Sequence, residues 1–345
     1  MAPIYYLLAD SGRLSFVFIN LHHCLASLFC SIFAHHNFCC LSYIIEARNL
    51  SKSFGSHKAV QDLSFSIQQG DVYGFLGENG AGKSTTIRML LGLIYPDNGE
   101  VYIQGELFNN RHRHLLQHIG AIIERPDMYG YLSGWDNLRM FATLSRKGIP
   151  DSRLEEVLEI VGLKGRERDK VKAYSQGMKQ RLGIAIALVH NPALLVLDEP
   201  TNGLDPQGIA EMRQLILHLS QDHGKTILIS SHLLHEVEQI ATRMVIIHKG
   251  KKMAEGSVKE LLKPEETLIE TRLLPDEAVM QKLQSSEWAN YLQETNTDSI
   301  VLKMSPGKIP AYNQWLVNAG AQVTELSSRH SLEAYFLSLT SDTHA

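Results

Sequence analysis

The 345-residue sequence predicts an α/β fold, a mainly parallel sheet with helices on its faces, followed by a smaller α+β domain. Three observations carry this reading. Strand-like and helical runs alternate from Leu194 to His248, the pattern that builds parallel sheets. A glycine-rich turn, "GENGAGKST" from Gly77, sits between a strand-like run and a helical one. After Pro264 glycine density falls, and residues 267–339 read in β-α-β-β-α-β-α order, that of a ferredoxin-like unit.

Taken in order, "YIIEARNLSKSF" and "LSFSI" read as strands, and "DVYGFLGENG" as a strand running into the glycine loop. Ser84 to Leu93 reads as a helix, closed by the turn Pro96-Asp97-Asn98-Gly99. "EVYIQG" and "HIGAIIE" are short strands. From about Asp127 to Val189 the pattern is helical, with amphipathic runs at Trp135–Arg146 and Asp151–Val161. The strand "LLVLDE", a helix over Gln207–Ser220, the strand "TILIS", a helix over Leu233–Ile240 and the strand "RMVIIH" follow. "HKGKKMAEG" reads as a hairpin turning at Lys249-Gly250.

Composition bounds the function. At 44% hydrophobic and 20% charged the chain is ordinary globular material, and a net charge of −4 gives no electrostatic case for binding nucleic acid. All four cysteines (Cys24, Cys30, Cys39, Cys40) fall in the first 40 residues, so the main body is no disulfide scaffold. The run "LSFVFINLHHCLASLFCSIFA" is almost long enough to span a bilayer, but Asn20, His22 and His23 interrupt it and no basic flank orients it. Neither a signal-peptide pattern nor zinc-ligand spacing is present there. Residues 1–42 are read as a disordered or non-native extension, over the alternatives of a membrane-inserted segment and a metal site.

The chemistry concentrates in short motifs. "GENGAGKS" fits G-x-x-x-x-G-K-[ST] in its strand–loop–helix context, the phosphate loop of P-loop nucleotidases. Gly77, Glu78, Asn79, Gly80, Ala81, Gly82, Lys83, Ser84 and Thr85 line that loop. Gly80 and Gly82 let backbone N–H groups turn inward around phosphate, Lys83 supplies a point charge and the Ser84 hydroxyl is an Mg²⁺ ligand. In "LLVLDEP" a buried strand delivers Asp198 to the metal shell and Glu199 to polarise a water as general base. "ISSHLLHE" leaves His232 just past another strand, at the sheet edge where α/β folds bind ligands. Phe54, ahead of the loop, reads either as core or as a platform for a base. Ser175-Gln176-Gly177 opens a helical run and offers N–H groups at a positive helix end, although a phosphate loop already exists.

GENGAGKS, YSQGM, LLVLDEP, GLDP and SSH resemble, in order and spacing, the motifs of ATP-binding cassette (ABC) transporter ATPases, from about Ile44 to Glu270. The resemblance implies a P-loop NTPase with a RecA-like core, an antiparallel β-subdomain and an inserted helical subdomain. It also implies that two copies dimerise head to tail around two ATP molecules. Expected domains are therefore 1–42, an ATP-binding domain over 43–270 with its helical subdomain at about 110–190, and a C-terminal α+β domain over 271–345. By the family pattern Phe54 stacks on adenine, Ser175 and Gly177 form the signature that caps the other copy's ATP, Asp205 lies on the dimer-crossing loop, and His232 contacts the γ-phosphate.

Two departures stand out. Tyr174-Ser175-Gln176-Gly177-Met178 replaces the usual Leu-Ser-Gly-Gly-Gln, a change compatible with the motif when Gln176 keeps negative φ. Glu124 in "IIERPDMYGYL" replaces a glutamine that in the family touches Mg²⁺ and the attacking water, and a carboxylate can still ligate the metal. That wording and the ending "SLEAYFLSLT" are similar to ATPases that export bacitracin and lantibiotics. The function implied is the ATP- and Mg²⁺-dependent ATPase subunit of an exporter, a homodimer peripheral to the cytoplasmic face of the membrane, working with separate permease subunits and no nucleic acid. The alternative is a non-transport ABC-type ATPase acting on nucleic acid or the ribosome. Against it, only about ninety residues without heptads separate loop and signature, and the chain has one phosphate loop.

Removing residues 1–40 is expected to leave the ATPase rate and the thermal midpoint unchanged; a collapse of either would make the segment part of the working fold.

Overall fold

The computed structural model describes residues 43–124, 127–145, 148–261 and 267–329. The N-terminal extension with its cysteines, and the helix expected after residue 330, lie outside them.

Strands β1 (Tyr43–Phe54) and β2 (His57–Gln68) form a hairpin in which Phe54 lies opposite His57. With β4 (Asn98–Ile103) and the short β5 (Glu106–Leu107) they make an antiparallel sheet of order β2-β1-β4-β5, as the fold class anticipated. The second sheet runs β10-β9-β3-β8-β7-β6, from β3 (Val72–Leu76), β6 (Ile119–Ile122), β7 (Leu194–Asp198), β8 (Thr226–Ser231), β9 (Arg243–His248) and β10 (Lys251–Ser257). Its neighbours pair in parallel except β9 and β10, which turn back at Lys249-Gly250.

The central strands explain their own composition. Every residue of β3, β7 and β8 is buried, so the apolar runs need no polar alternation. Successive side chains still go to opposite faces. Leu194 and Val196 join Ile87, Met89 and the first sheet on one side, while Leu195 and Leu197 join the helices on the other. Helix α1 (Lys83–Leu90) is shorter than the Ser84–Leu93 of the sequence pattern. The chain turns at Gly92 with φ +64°, where an added Cβ would sit 2.8 Å from the Phe108 ring, so the hairpin packed there ends the helix.

Between β6 and β7 the chain leaves the sheet for α2 (Gly134–Ser145), α3 (Asp151–Ile160) and α4 (Gln176–Leu188). Leu138, Leu154, Leu158, Val161 and Leu182 form their shared core. Buried Asn137 is a polar exception, accepting from Tyr129 N and donating to the Tyr129 and Ser133 carbonyls. It thereby fixes the loop that enters α2. Helix α5 (Pro206–Gln221) covers the sheet through Met212, Ile216 and Leu219, and short α6 (Leu234–Glu238) follows β8.

After α7 (Val258–Leu261), β11 (Thr267–Leu273), α8 (Glu277–Gln284), β12 (Leu292–Thr295), β13 (Ser299–Met304), α9 (Ile309–Ala319) and β14 (Val323–Arg329) follow in the expected β-α-β-β-α-β order. They build an antiparallel sheet of order β12-β13-β11-β14 with its own core around Ile269, Leu302, Trp288 and Tyr312. Among the described residues no helix is long and apolar enough to cross a membrane.

Gly120 in β6 lies against the turn-end of α4, where a Cβ would fall 2.1 Å from the Ala187 carbonyl oxygen. Gly120→Ala must push strand from helix and is expected to cost about 1–3 kcal/mol, read as a lower denaturant midpoint at unchanged slope.

Candidate functional site

The loop from Gly77 to Thr85 joins the buried end of β3 to α1. Gly80 and Gly82 have φ of +81° and +104°, in the left-handed region that glycine occupies without strain. Gly77 and Gly82 are also held close to neighbouring backbone, since a Cβ would meet the Ile247 carbonyl at 2.5 Å and the Ala59 carbonyl at 2.4 Å respectively. The loop is thus wedged between β9 and the first sheet. Ala81, behind it, is buried. The Lys83 ammonium, 6% exposed, donates to the Gly77 carbonyl at 2.7 Å and the Glu78 carbonyl at 3.2 Å. It also lies 3.2 Å from Glu199 Oε1. A cavity of about 470 Å³ opens over the loop and is walled by Asn79, Ser84, Thr85, Glu199 and His232, with Phe54 on its rim.

The acidic pair is organised by the neighbouring strand. Asp198 is 1% exposed and accepts a 2.5 Å hydrogen bond from Ser230 Oγ, which in turn accepts from the Glu199 N–H at 2.9 Å. Glu199 takes φ +50°, so the strand ends abruptly and turns its carboxylate back over the loop. His232 Nδ1 lies 2.7 Å from Glu199 Oε2. Glu199 is therefore bracketed by the Lys83 ammonium on one oxygen and the His232 ring on the other. A second cavity, of about 360 Å³, adjoins this one; Ser84, Glu124, Asp198 and Glu199 share its wall with Gln180. Glu124, with φ +59°, is largely exposed and ion-paired to Arg88, one turn along α1 from Ser84.

Phe54, 51% exposed at the end of β1, is no core residue; its ring has the Lys52 ammonium 5.7 Å from its centroid. Ser175, Gly177 and Asp205 form a separate group. Ser175 Oγ caps α4 by accepting from Met178 N at 3.2 Å, and Asp205 Oδ1 caps α5 by accepting from Gly208 N at 3.2 Å. The two helix starts line one cavity of about 440 Å³ that includes no residue of the phosphate loop.

A profile described as ABC transporter matches residues 60–202. The bacitracin transport ATP-binding protein BcrA of Bacillus licheniformis is 45% identical over 87% of this chain and 98% of its own. This chain belongs to the ABC transporter ATP-binding proteins. The uncharacterized ABC transporter ATP-binding protein YhcH of Bacillus subtilis (strain 168) is 41% identical, over 87% of this chain and 97% of that one. Among solved structures, the ADP conformation of MJ1267, an ATP-binding cassette of an ABC transporter, has a TM-score of 0.57 at 27% identity, over 64% of this chain and 94% of that one. As an ABC ATPase subunit the chain binds nucleotide and hydrolyses ATP to drive transport. The non-transport alternative finds no support among these relatives.

The ABC signature's departures have local reasons. Tyr174 is buried, and its hydroxyl donates to the Arg166 carbonyl at 2.7 Å while packing against Gly134. Desolvation, with Asp169 and Glu167 nearby, raises its pKa. Gln176 is absent from the residues of positive φ, so a side chain is free of strain there. Met178 packs on the helical core. Sequence reasoning missed Ser230, Arg88, Asn202, Gln180 and His57. The first serine of "SSH" was the only local hint of Ser230; the others became visible through strand register and packing.

Ser230→Ala would leave the buried Asp198 carboxylate without its donor. The expected cost is about 1–3 kcal/mol, measured as a lower thermal midpoint together with slower ATP turnover.

Proposed function

We propose that the chain works as a head-to-tail homodimer at the cytoplasmic face of a membrane. There it hydrolyses Mg²⁺-ATP to drive export through separate permease subunits, with peptide antibiotics of the bacitracin class as cargo. The cargo reading rests on the relative named for bacitracin transport and on the "IIERPDMYGYL" wording around Glu124.

Gly177 carries the dimer reading. It has no positive φ, and among the described residues a Cβ there would meet only Ser175 Oγ, at 3.9 Å. A glycine in the first turn of a helix costs stability relative to alanine. Among the described residues of one copy no contact requires a glycine there, which supports a close approach by another molecule. Ser175 and Asp205 open onto the same cavity. In this reading they cap an ATP held by the opposite copy, so the nucleotide binds the two copies together.

Within one copy the adenine stacks on Phe54, and backbone N–H groups from Gly80 to Thr85 surround the phosphates beside the Lys83 ammonium. Among the described residues no cluster of three or more His, Cys, Asp or Glu is built to hold a metal. The Ser84 hydroxyl and the Asp198 and Glu124 carboxylates nevertheless share one cavity wall. This sparse, all-oxygen set fits Mg²⁺, which takes its remaining ligands from phosphate and water. When bound, the ion neutralises charge developing on the phosphoryl oxygens. Glu199 takes the proton of the attacking water. His232 holds the Glu199 carboxylate in place and faces the γ-phosphate from the next strand. Glu124 reaches the metal side of the cavity while Arg88 offsets its charge.

Glu199→Gln is expected to bind ATP, to turn it over about 10²–10⁴-fold more slowly and to accumulate as an ATP-bound dimer in sedimentation. Hydrolysis at the parental rate would remove Glu199 from the base role. Ser175→Arg in that background should bind ATP as a monomer, and persistence of the dimer would overturn the capping role.

A further inference from the structure

We propose that the buried hydrogen bond between Thr201 and Glu236 is a clasp that fixes the Asn202–Asp205 loop relative to the His232 segment, and so sets the face a second copy must meet. The proposal rests on the head-to-tail dimer reading above. Thr201 and Glu236 are positioning residues, since neither borders either cavity at the phosphate loop.

The chain from Asp198 to Thr201 is laced to the chain from Ser230 to Glu236 by four side-chain contacts. Ser230 serves Asp198 and the Glu199 N–H, and His232 meets Glu199. The fourth, Thr201 Oγ1 donating to Glu236 Oε2 at 2.7 Å, is buried like the Ser230–Asp198 bond but borders neither cavity at the phosphate loop. Thr201 is 5% exposed and Glu236 4%. A carboxyl group is an expensive occupant for such a place, where an apolar side chain of similar size would pack without needing a partner. Core stability alone therefore does not account for it.

Its position in the chain supplies the other reason. Glu236 sits on α6, which begins two residues after His232, so the short helix and the histidine form one segment. Thr201 is the last buried residue before the exposed Asn202 and Gly203. The Asn202 N–H donates to the Glu199 carbonyl at 3.1 Å and the Leu204 N–H to the Thr201 carbonyl at 3.2 Å, and Asp205 then caps α5. The loop is thus a short, internally bonded arch with one foot on α5 and the other on the Thr201–Glu236 bond. Asn202 from this arch borders the phosphate cavity, while Gly203, Leu204 and Asp205 border the cavity of Ser175. Releasing the second foot lets the arch move without touching the loop that holds nucleotide.

The test uses the full chain carrying Glu199→Gln, comparing the ATP concentration for half-maximal dimerisation by sedimentation with the affinity of a fluorescent ATP analogue for the monomer. Adding Thr201→Val, which removes the hydroxyl at nearly constant shape, should raise the dimerisation midpoint about tenfold, equivalent to about 1.4 kcal/mol. Monomer affinity should stay within about twofold, and Thr201→Ser should restore the parental midpoint. Glu236→Met should match Thr201→Val, and the two together should cost no more than either alone, as partners in one bond must. Parental dimerisation by Thr201→Val or by Glu236→Met overturns the clasp, as do additive effects or an equal loss of monomer affinity. Failure of Glu199→Gln itself to dimerise with ATP counts against the dimer reading, a result distinct from either.

Discussion

Parallel pairing of β8 with β3 on one side and β7 on the other brings three strand ends level at one edge of the sheet. Leu76 sits opposite Ser231, and Asp198 opposite Ser230. That register is fixed because all three strands are buried on both faces, and slipping by one residue would send each apolar set to the wrong core. From it follow the phosphate loop over Lys83, the Asp198–Glu199 pair and His232, with Glu199 within hydrogen-bonding reach of both Lys83 and His232. The site is a by-product of how two hydrophobic cores share one sheet.

Much of this was legible because its signals are local. Glycines with positive φ, a lysine and a serine at the start of a helix, and two acids at the end of an apolar run fall within single short segments. The β-α alternation was equally plain, since each element has its own period. What escaped reading were pairs far apart in sequence, such as Ser230 with Asp198, Arg88 with Glu124 and Thr201 with Glu236. Each depends on which strand lies beside which and at what offset, and single-sequence patterning carries no such information. Phe54 remained ambiguous for a related reason: a phenylalanine at a hairpin end is core or rim according to what the sheet packs against. The end of α1 was misjudged because Phe108, in another hairpin, occupies the space beside Gly92.

The signature region separates what a chain needs for itself from what it presents to others. Three residues differ from the family pattern, and two of them, Tyr174 and Met178, pack on the chain's own helical core, where volume and one hydrogen bond decide the residue. Ser175 and Gly177 keep the family residues and, with the altered Gln176, line the outward cavity. Departures from a motif are thus informative by direction as well as by identity. Substitutions on the inward side repack the chain, whereas those on the outward side change what it presents to a neighbour.

Gly177 takes this furthest. Within its own chain it is a weak point in a helix, with room for a larger residue and no backbone demand for glycine. Any selection that scores the isolated subunit, whether thermal screening or display of a single copy, would favour alanine there. Such a screen would count the loss as an improvement. In the dimer proposed for it, the subunit is tuned to its assembly at the expense of its solitary form, and a hardened version would be the one least fit for transport.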